Sequence, residues 1–270
     1  MPELPEVEIT RRGIAPALVG KVASGAVLRV PALRYPLPQR LATKLRGRTL
    51  RGVRRRGKYL LLDFGSGHLL IHLGMSGSLR LVAATAAPQK HDHVDLVFGS
   101  LALRLRDPRR FGAMLWLTGD PAEHSLLASL GLEPLEDAFT PQRLREMLAG
   151  RSTAIKQALM DSRIVVGVGN IYASESLFLA GIDPRTPAGR VSLMRLRRLV
   201  PALRATLAAA IEAGGSTLRD FVQADGSSGY FQQLYDVYGR AGEPCHACAG
   251  RIRGIRQGGR ATYFCPRCQR

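Results

Sequence analysis

All four cysteines of this 270-residue chain fall in its last 26 residues, as Cys245-x2-Cys248 and Cys265-x2-Cys268 with sixteen residues between the pairs. No other feature limits the fold as much. Two CxxC knuckles at this separation have the spacing of a zinc ribbon, in which four thiolates take tetrahedral positions around one structural ion. Two disulfides would use the same residues. The opening MPELPEVEIT, however, carries glutamates and prolines where a secretory signal needs a basic and then apolar start. A reducing, cytoplasmic setting is therefore expected, and with it the metal. A closed four-thiolate site leaves no position for catalysis, so the ion would shape the hairpin between the knuckles, where Arg260 lies. His246, between two ligands, reads as a bystander.

That hairpin is basic: residues 237–270 hold seven arginines and one glutamate. The whole chain follows suit, with 39 Lys+Arg against 21 Asp+Glu and a formal net charge of +18. A surplus on this scale favours polyanionic partners, because each phosphate neutralised releases counterions. It is carried by 34 arginines and only five lysines, and arginine suits bidentate phosphate and base contacts. A GC-rich genome accounts for much of that ratio but not for the surplus itself. Lysine being scarce, one set beside a glycine in a motif, as Lys58 is, becomes a candidate for chemistry. The hydrophobic fraction of 46% belongs to a folded chain, and no apolar run approaches the eighteen or so residues of a membrane span.

The first 20 residues pattern as a helix, with Val7, Ile9, Ile14 and Leu18 apolar and glutamates in the first turn, where the helix dipole favours them. From about 22 to 117 short strands are expected at Leu60–Asp63, Leu69–Leu73, Leu79–Val82, Val94–Phe98, Leu101–Leu105 and Ala113–Leu117, separated by Gly, Ser, Pro and Asp turns. This half is a β-sandwich or barrel. After about 120 the period changes. Thr140-Pro141 caps and opens a helix through Met147, and helical spacing also fits 153–161, 170–180, 191–213 and 216–223. Leu130–Phe139, with Gly, Pro and acidic residues, is the expected linker. The implied divisions are 1–130, 131–235 and 236–270.

The chain has no P-loop, GxSxG elbow, HExxH or Rossmann fingerprint. Gly167-Val-Gly169-Asn170 reads as the connector of two helices, with amides at the second N-terminus that would suit a phosphate. The N-terminus offers more. Removal of Met1 would leave Pro2 with a free secondary amine, able to attack an aldehyde-like carbon and form an iminium. Glu3 and Glu6 follow at one-turn spacing and could move protons. His91 and His93 alternate along an expected strand and are either structural or a metal-like pair.

The segments MPELPEVE (1–8), GKYLLL (57–62), HLGMSG (72–77), KHDHVD (90–95), DPRRFG (107–112), VVGVGNIYASE (165–175), QADGSSGYF (223–231), VYGRAGEPC (237–245) and GRATYFCPRC (259–268) occur in order. Together they resemble the bacterial formamidopyrimidine-DNA glycosylases over essentially the whole chain. The resemblance implies an α+β fold: a two-sheet β-sandwich with an N-terminal helix, then a helix–two-turn–helix domain ending in a zinc-ribbon finger. It implies a bifunctional glycosylase and abasic-site lyase acting on 8-oxoguanine and ring-opened purines in duplex DNA. Pro2 would be the nucleophile toward C1′, Glu3 the acid/base, Lys58 the lysine near the damaged base and phosphate, and Arg260 the finger arginine on the flanking phosphates. Asn170 would bind phosphate, with His72, His91 and Arg151 as further phosphate contacts.

Met75, Arg109 and Phe111 would fill the space left by the everted nucleotide, whose loss of stacking costs a few kcal/mol. Gln223–Tyr230 would close over the everted base. Cys245, Cys248, Cys265 and Cys268 would hold one Zn2+ per chain, and the partner would be damaged DNA met by a monomer. The sister family, endonuclease VIII, uses the same nucleophile on oxidised pyrimidines; Leu4, DPRRFG and QADGSSGYF favour the purine enzyme. A non-catalytic DNA-binding zinc protein would explain the charge and ribbon but leave Pro2, Glu3 and Lys58 without a task.

Overall fold

The computed structural model describes residues 2–215 and 235–270. The helix expected at 216–223 and the loop 223–230 lie outside the described residues, as does Met1. The described chain forms two compact units: one runs to Ala128 and includes 213–215, the other comprises Ser129–Glu212 and 235–270.

The first unit opens with α1 (Leu4–Leu18), whose start is fixed by the Glu6 carboxylate accepting from the Glu3 N–H at 2.8 Å. Leu4, Val7, Ile14 and Leu18 lie at helical spacing and are buried, so the helix is held by its apolar face rather than by propensity. Short pieces follow: β1 (Val22–Ala23), β2 (Gly25–Leu28), α2 (Leu41–Leu45) and β3 (Arg48–Thr49). Then come β4 (Gly52–Arg56), β5 (Tyr59–Asp63), β6 (His68–His72), β7 (Ser78–Ala83), β8 (Asp92–Phe98), β9 (Leu101–Arg106) and β10 (Ala113–Leu117).

Two four-stranded antiparallel sheets result, ordered β10-β6-β5-β4 and β2-β8-β9-β7. Their inward residues, among them Leu60, Leu62, Leu69, Ile71, Leu96, Leu103 and Leu105, interleave with Leu18, Leu41 and Leu45 in one core. Each expected strand is present to within a residue or two. The strand β4 was not anticipated because Arg54-Arg55-Arg56 hides its alternation; it is an edge strand against which α1 packs.

Two expectations need correction. His91 does not alternate with His93 along a strand: it precedes β8 with φ +74, and the ladder with β9 shifts register between Asp92 and Val94. The break turns His93 inward, where its Nε2 lies 2.9 Å from the Asp107 carbonyl. Lys58 stands at the tip of the β4–β5 hairpin, where Arg56 pairs with Tyr59. Leu130–Phe139 is no free linker. After α3 (Ser125–Ala128) the chain joins the second unit at once: Leu132 bridges Val165, Gly131 N–H bonds the Ser162 carbonyl, and Phe139 is fully buried. A β-carbon at Gly131 would meet the carbonyls of Arg163 and Ile164 at about 2.5 Å, so the Gly reflects close packing rather than flexibility.

The second unit is helical, with α4 (Pro141–Leu148), α5 (Ile155–Leu159), α6 (Asn170–Leu179) and α7 (Leu193–Glu212). Thr140 caps α4 as its sequence suggests, its hydroxyl accepting from the Arg143 N–H. The turns between α5 and α6 bury Ile164, Val165, Val166 and Val168. The strands β11 (Arg253–Gln257) and β12 (Arg260–Phe264) pair antiparallel about a Gly258-Gly259 turn, and Phe178 of α6 joins Val237, Ile252, Cys245 and Cys265 in their core. Among the described residues no helix is long and apolar enough to cross a membrane.

Candidate active site and nucleic-acid interface

Three groups of candidate side chains lie in the first unit. Pro2 is buried directly before α1, and Glu3 at the helix N-cap is 3% exposed. Lys58 follows Gly57, whose φ of +57 begins a two-residue turn that a residue with a β-carbon enters only with strain. His72, at the end of β6, pairs with Tyr59 across the ladder, their rings 4.8 Å apart. Burial, then the charges of Lys58 and Arg34, push its imidazolium pKa down to about 4. The ring is therefore neutral at physiological pH. Its Nδ1 accepts from the Gly74 N–H at 3.0 Å, which leaves the proton on Nε2.

The wedge candidates stand on two adjoining turns. Met75 and Phe111 are 37% and 46% exposed, unusual for side chains of their size, and the Arg109 guanidinium lies 4.8 Å from the Phe111 ring centroid. Between the turns sits Asp107, wholly buried and not anticipated from sequence as a functional residue. Its Oδ1 accepts from the Ser76 hydroxyl (3.0 Å) and the Arg109 N–H (3.3 Å), and its Oδ2 accepts from the Gly112 N–H (2.8 Å). One carboxylate thus ties Met75's turn to the turn of Arg109 and Phe111. The approach is close: a β-carbon at Gly74 would stand 2.5 Å from the Gly112 nitrogen. His91 is half-buried at the edge of this unit, its pKa lowered by burial and by the charges of Lys90, His93 and nearby arginines.

The second unit carries the rest. Asn170 is the first residue of α6, its Oδ1 accepting from Lys156 Nζ at 2.6 Å and its Nδ2 lying 3.4 Å from the Tyr238 hydroxyl. Lys156 is 1% exposed and also donates to the Ala261 carbonyl (2.8 Å) and the Thr262 hydroxyl (2.7 Å), so one buried ammonium joins α5, α6 and β12. Glu175, also buried, accepts from the amides of Asp236, Val237 and Tyr238 and fixes the backbone leading into the ribbon. None of Lys156, Glu175 and Tyr238 was singled out as functional from sequence. Each works through partners far along the chain, which no local pattern reveals.

Arg260 is exposed at the start of β12 and borders a cleft of about 150 Å³ with Lys156, Gln157, Met160, Asp161, Gln257 and Gly258. Arg151 donates to the Met147 carbonyl and approaches Asp161 at 4.0 Å.

The four cysteines are free thiols whose sulfurs all lie within 4.8 Å of one another. The Cys245–Cys268 and Cys248–Cys265 separations are 3.9 and 3.5 Å. Sulfurs bound at zinc's usual bond length and tetrahedral angle stand about 3.8 Å apart, so the set fits such an ion. Gln269 braces it, accepting from the Cys265 N–H and donating to the Ile182 carbonyl. His246 lies 3.3 Å from Asp236 rather than among the sulfurs, and His91 with His93 forms no metal cluster among the described residues.

A helical unit of this build, closed by a four-thiolate ribbon, places the chain in the helix–two-turn–helix class. Residues 1–114 match the formamidopyrimidine-DNA glycosylase N-terminal domain, 130–222 its H2TH domain, and 242–270 the zinc finger found in FPG and IleRS. The formamidopyrimidine-DNA glycosylases of Aromatoleum aromaticum and Methylococcus capsulatus are 61% and 58% identical to it, over all of both chains. The FPG protein of Thermus thermophilus superposes with a TM-score of 0.89 at 42% identity, covering 99% of this chain and 98% of that one. A Lactococcus lactis FPG variant bound to Fapy-dG DNA superposes with a TM-score of 0.92 at 35% identity over the full length of both. The chain belongs to the formamidopyrimidine-DNA glycosylase family.

Proposed function

We propose that this chain is a base-excision-repair enzyme that removes oxidised purines, 8-oxoguanine and formamidopyrimidines, from duplex DNA and then cuts the strand at the abasic site. The observation that carries this reading is the proline–glutamate pair at the buried start of α1, in a chain of this family. Solved relatives are complexes with Fapy-dG, abasic and 8-oxoguanine-like DNA, which supports the same substrates here.

The Pro2 amine, freed by loss of Met1, attacks C1′ as the glycosidic bond breaks, and the base leaves with its electron pair and a proton. Glu3 assists opening of the sugar and moves protons in the later steps. The resulting iminium acidifies C2′, so that successive β- and δ-eliminations expel the two flanking phosphates. Lys58 and neutral His72 serve the phosphate and damaged base from the sandwich; His91, Arg151, Asn170 and Arg260 serve phosphates, Arg260 also aiding elimination. Met75 and Phe111 occupy the vacated stack, and Arg109 offers donors to the orphaned cytosine.

The cysteines hold one zinc ion, which organises the β11–β12 hairpin. The enzyme acts as a monomer in the bacterial cytoplasm, and the divisions 1–130, 131–235 and 236–270 serve as catalytic sandwich, DNA-binding helices and finger.

Sodium borohydride tests the reading. Intact mass should first establish that Met1 is absent. A duplex with 8-oxoguanine opposite cytosine should then yield a covalent adduct with wild type and none with Pro2→Gly, and dihydrouracil DNA should yield less. Binding without any adduct would defeat it.

A further inference from the structure

Arg55 is an arginine on the wrong face of its strand. In β4, Val53 is buried and Arg55, two residues on, shares its face, yet the side chain is only 11% exposed. Its Nε lies 3.2 Å from Glu8 Oε2, and its Nη1 donates to the Gly57 carbonyl at 3.0 Å. Glu8 belongs to α1 and is itself 10% exposed. We propose that Glu8 and Arg55 are positioning residues for base removal: their ion pair sets the turn that presents Lys58 against the helix that begins at Pro2 and Glu3. The proposal rests on the reading of Pro2 and Lys58 given above.

Two features separate this from an ordinary stabilising pair. Glu8 does not need Arg55 for charge balance, because Arg11 grips both its oxygens at 3.0 and 2.7 Å and Arg12 approaches one at 3.0 Å. The third guanidinium adds to that charge and, unlike the other two, adds reach. The atom it reaches is also particular: the Gly57 carbonyl belongs to the peptide group whose nitrogen is that of Lys58. Fixing that plane fixes the direction in which the lysine leaves the hairpin. Gly57, at φ +57, cannot fix it unaided, since glycine is the residue least restrained by its own backbone. At the other end, Leu4 and Val7 are wholly or almost wholly buried and hold the first turns of α1 rigidly to the core, so Glu8 is a fixed post. The path from proline to lysine thus runs through one helix, one ion pair and one peptide plane, all inside the first unit.

The test separates base removal from attack by Pro2. Wild type, Arg55→Met, Arg55→Lys and Glu8→Gln are compared in single-turnover excision of 8-oxoguanine and in borohydride trapping on DNA that already carries an abasic site. Misplacing Lys58 should slow excision about tenfold or more in Arg55→Met, with duplex affinity little changed. Trapping on the abasic site, which bypasses base removal, should stay within about threefold of wild type and certifies a folded Pro2 centre. Arg55→Lys, which keeps the charge but lacks the second arm, should show the same selectivity at smaller size. Equal losses on the two substrates, or no loss on either, would overturn the proposal. Failure of wild type to trap would instead sink the reading of Pro2 itself.

Discussion

Burial and the charges of Lys58 and Arg34 act together on His72, and all three disfavour its protonated form. Its imidazole should titrate near pH 4 rather than near the usual 6.5, as followed by its ring proton resonances. Replacing Lys58 by Met removes one of the opposing cations and should move that midpoint upward; an unchanged midpoint would mean that burial and Arg34 set it without Lys58. The sign for stability follows: a histidine with a depressed pKa stabilises the fold fully above its unfolded value, and that contribution is lost as pH falls from about 6.5 toward 4. Asp107 gives a second test at this scale. Asp107→Asn trades one acceptor oxygen for a donor among three donors, and an unmet buried hydrogen bond costs about 1–3 kcal/mol. Urea unfolding should register that loss, and a duplex with an abasic-site analogue should bind more weakly as Met75 and Phe111 lose their common support. Full affinity in this variant would show that the two turns hold their shape without the carboxylate.

At the scale of elements, α1 is bound to the sandwich by charge as well as by its apolar face. Burial raises the Glu8 pKa, but the hydrogen bonds of Arg11 and Arg12 and the charges of Arg11 and Arg55 outweigh it and bring it down to about 2. A depressed carboxylate stabilises above its unfolded pKa, near 4.5, and the gain disappears as pH falls toward 2. Glu8→Gln should lose stability at pH 7, and its stability should fall less steeply than wild type between pH 4.5 and 2.5 in urea titrations. Parallel curves would show that the pair contributes nothing net.

The same helix shows what a sequence can and cannot disclose. Its apolar spacing and acidic start are local and legible along the chain, whereas the pairing of Glu8 with Arg11 and Arg12, though local, emerges only from the fold. The Arg55 contact joins residues 47 apart, and Arg55 itself lies in a run of three arginines that masks a strand. The cysteine knuckles were likewise plain from spacing, whereas Lys156, which reaches 105 residues on to β12, was visible only as a scarce lysine. Where function depends on periodicity or a motif it can be read; where it depends on a buried polar group linking distant elements, only the fold reveals it.

For the whole molecule the question is how much of a +18 surplus touches DNA. Each phosphate neutralised contributes about −0.9 to the slope of log Kobs against log salt. Of the proposed phosphate ligands, Lys58, Arg151 and Arg260 carry charge, whereas Asn170 is neutral and the lowered pKa values of His72 and His91 leave both uncharged at physiological pH. These three cations predict a slope of about −2.7. Arg109 adds little if it faces the orphaned base. The remaining surplus is partly spent within the protein, as in Arg29 and Arg104 on Asp95, Arg163 on Asp161 and Arg185 on Asp183. The rest is a diffuse field that speeds encounter more than it holds the complex.

Binding of a non-cleavable abasic duplex across a salt series should therefore give a slope between about −2 and −4. Arg260→Ala should reduce it by about one unit, and Pro2→Gly should leave it unchanged, since Pro2 engages sugar rather than phosphate. Removal of zinc by a chelator should act as Arg260→Ala does or more strongly, because the hairpin that presents Arg260 is held by the four thiolates. A wild-type slope near −10 would mean instead that the arginine surplus itself grips the backbone, and the small set of named phosphate ligands would have to be widened.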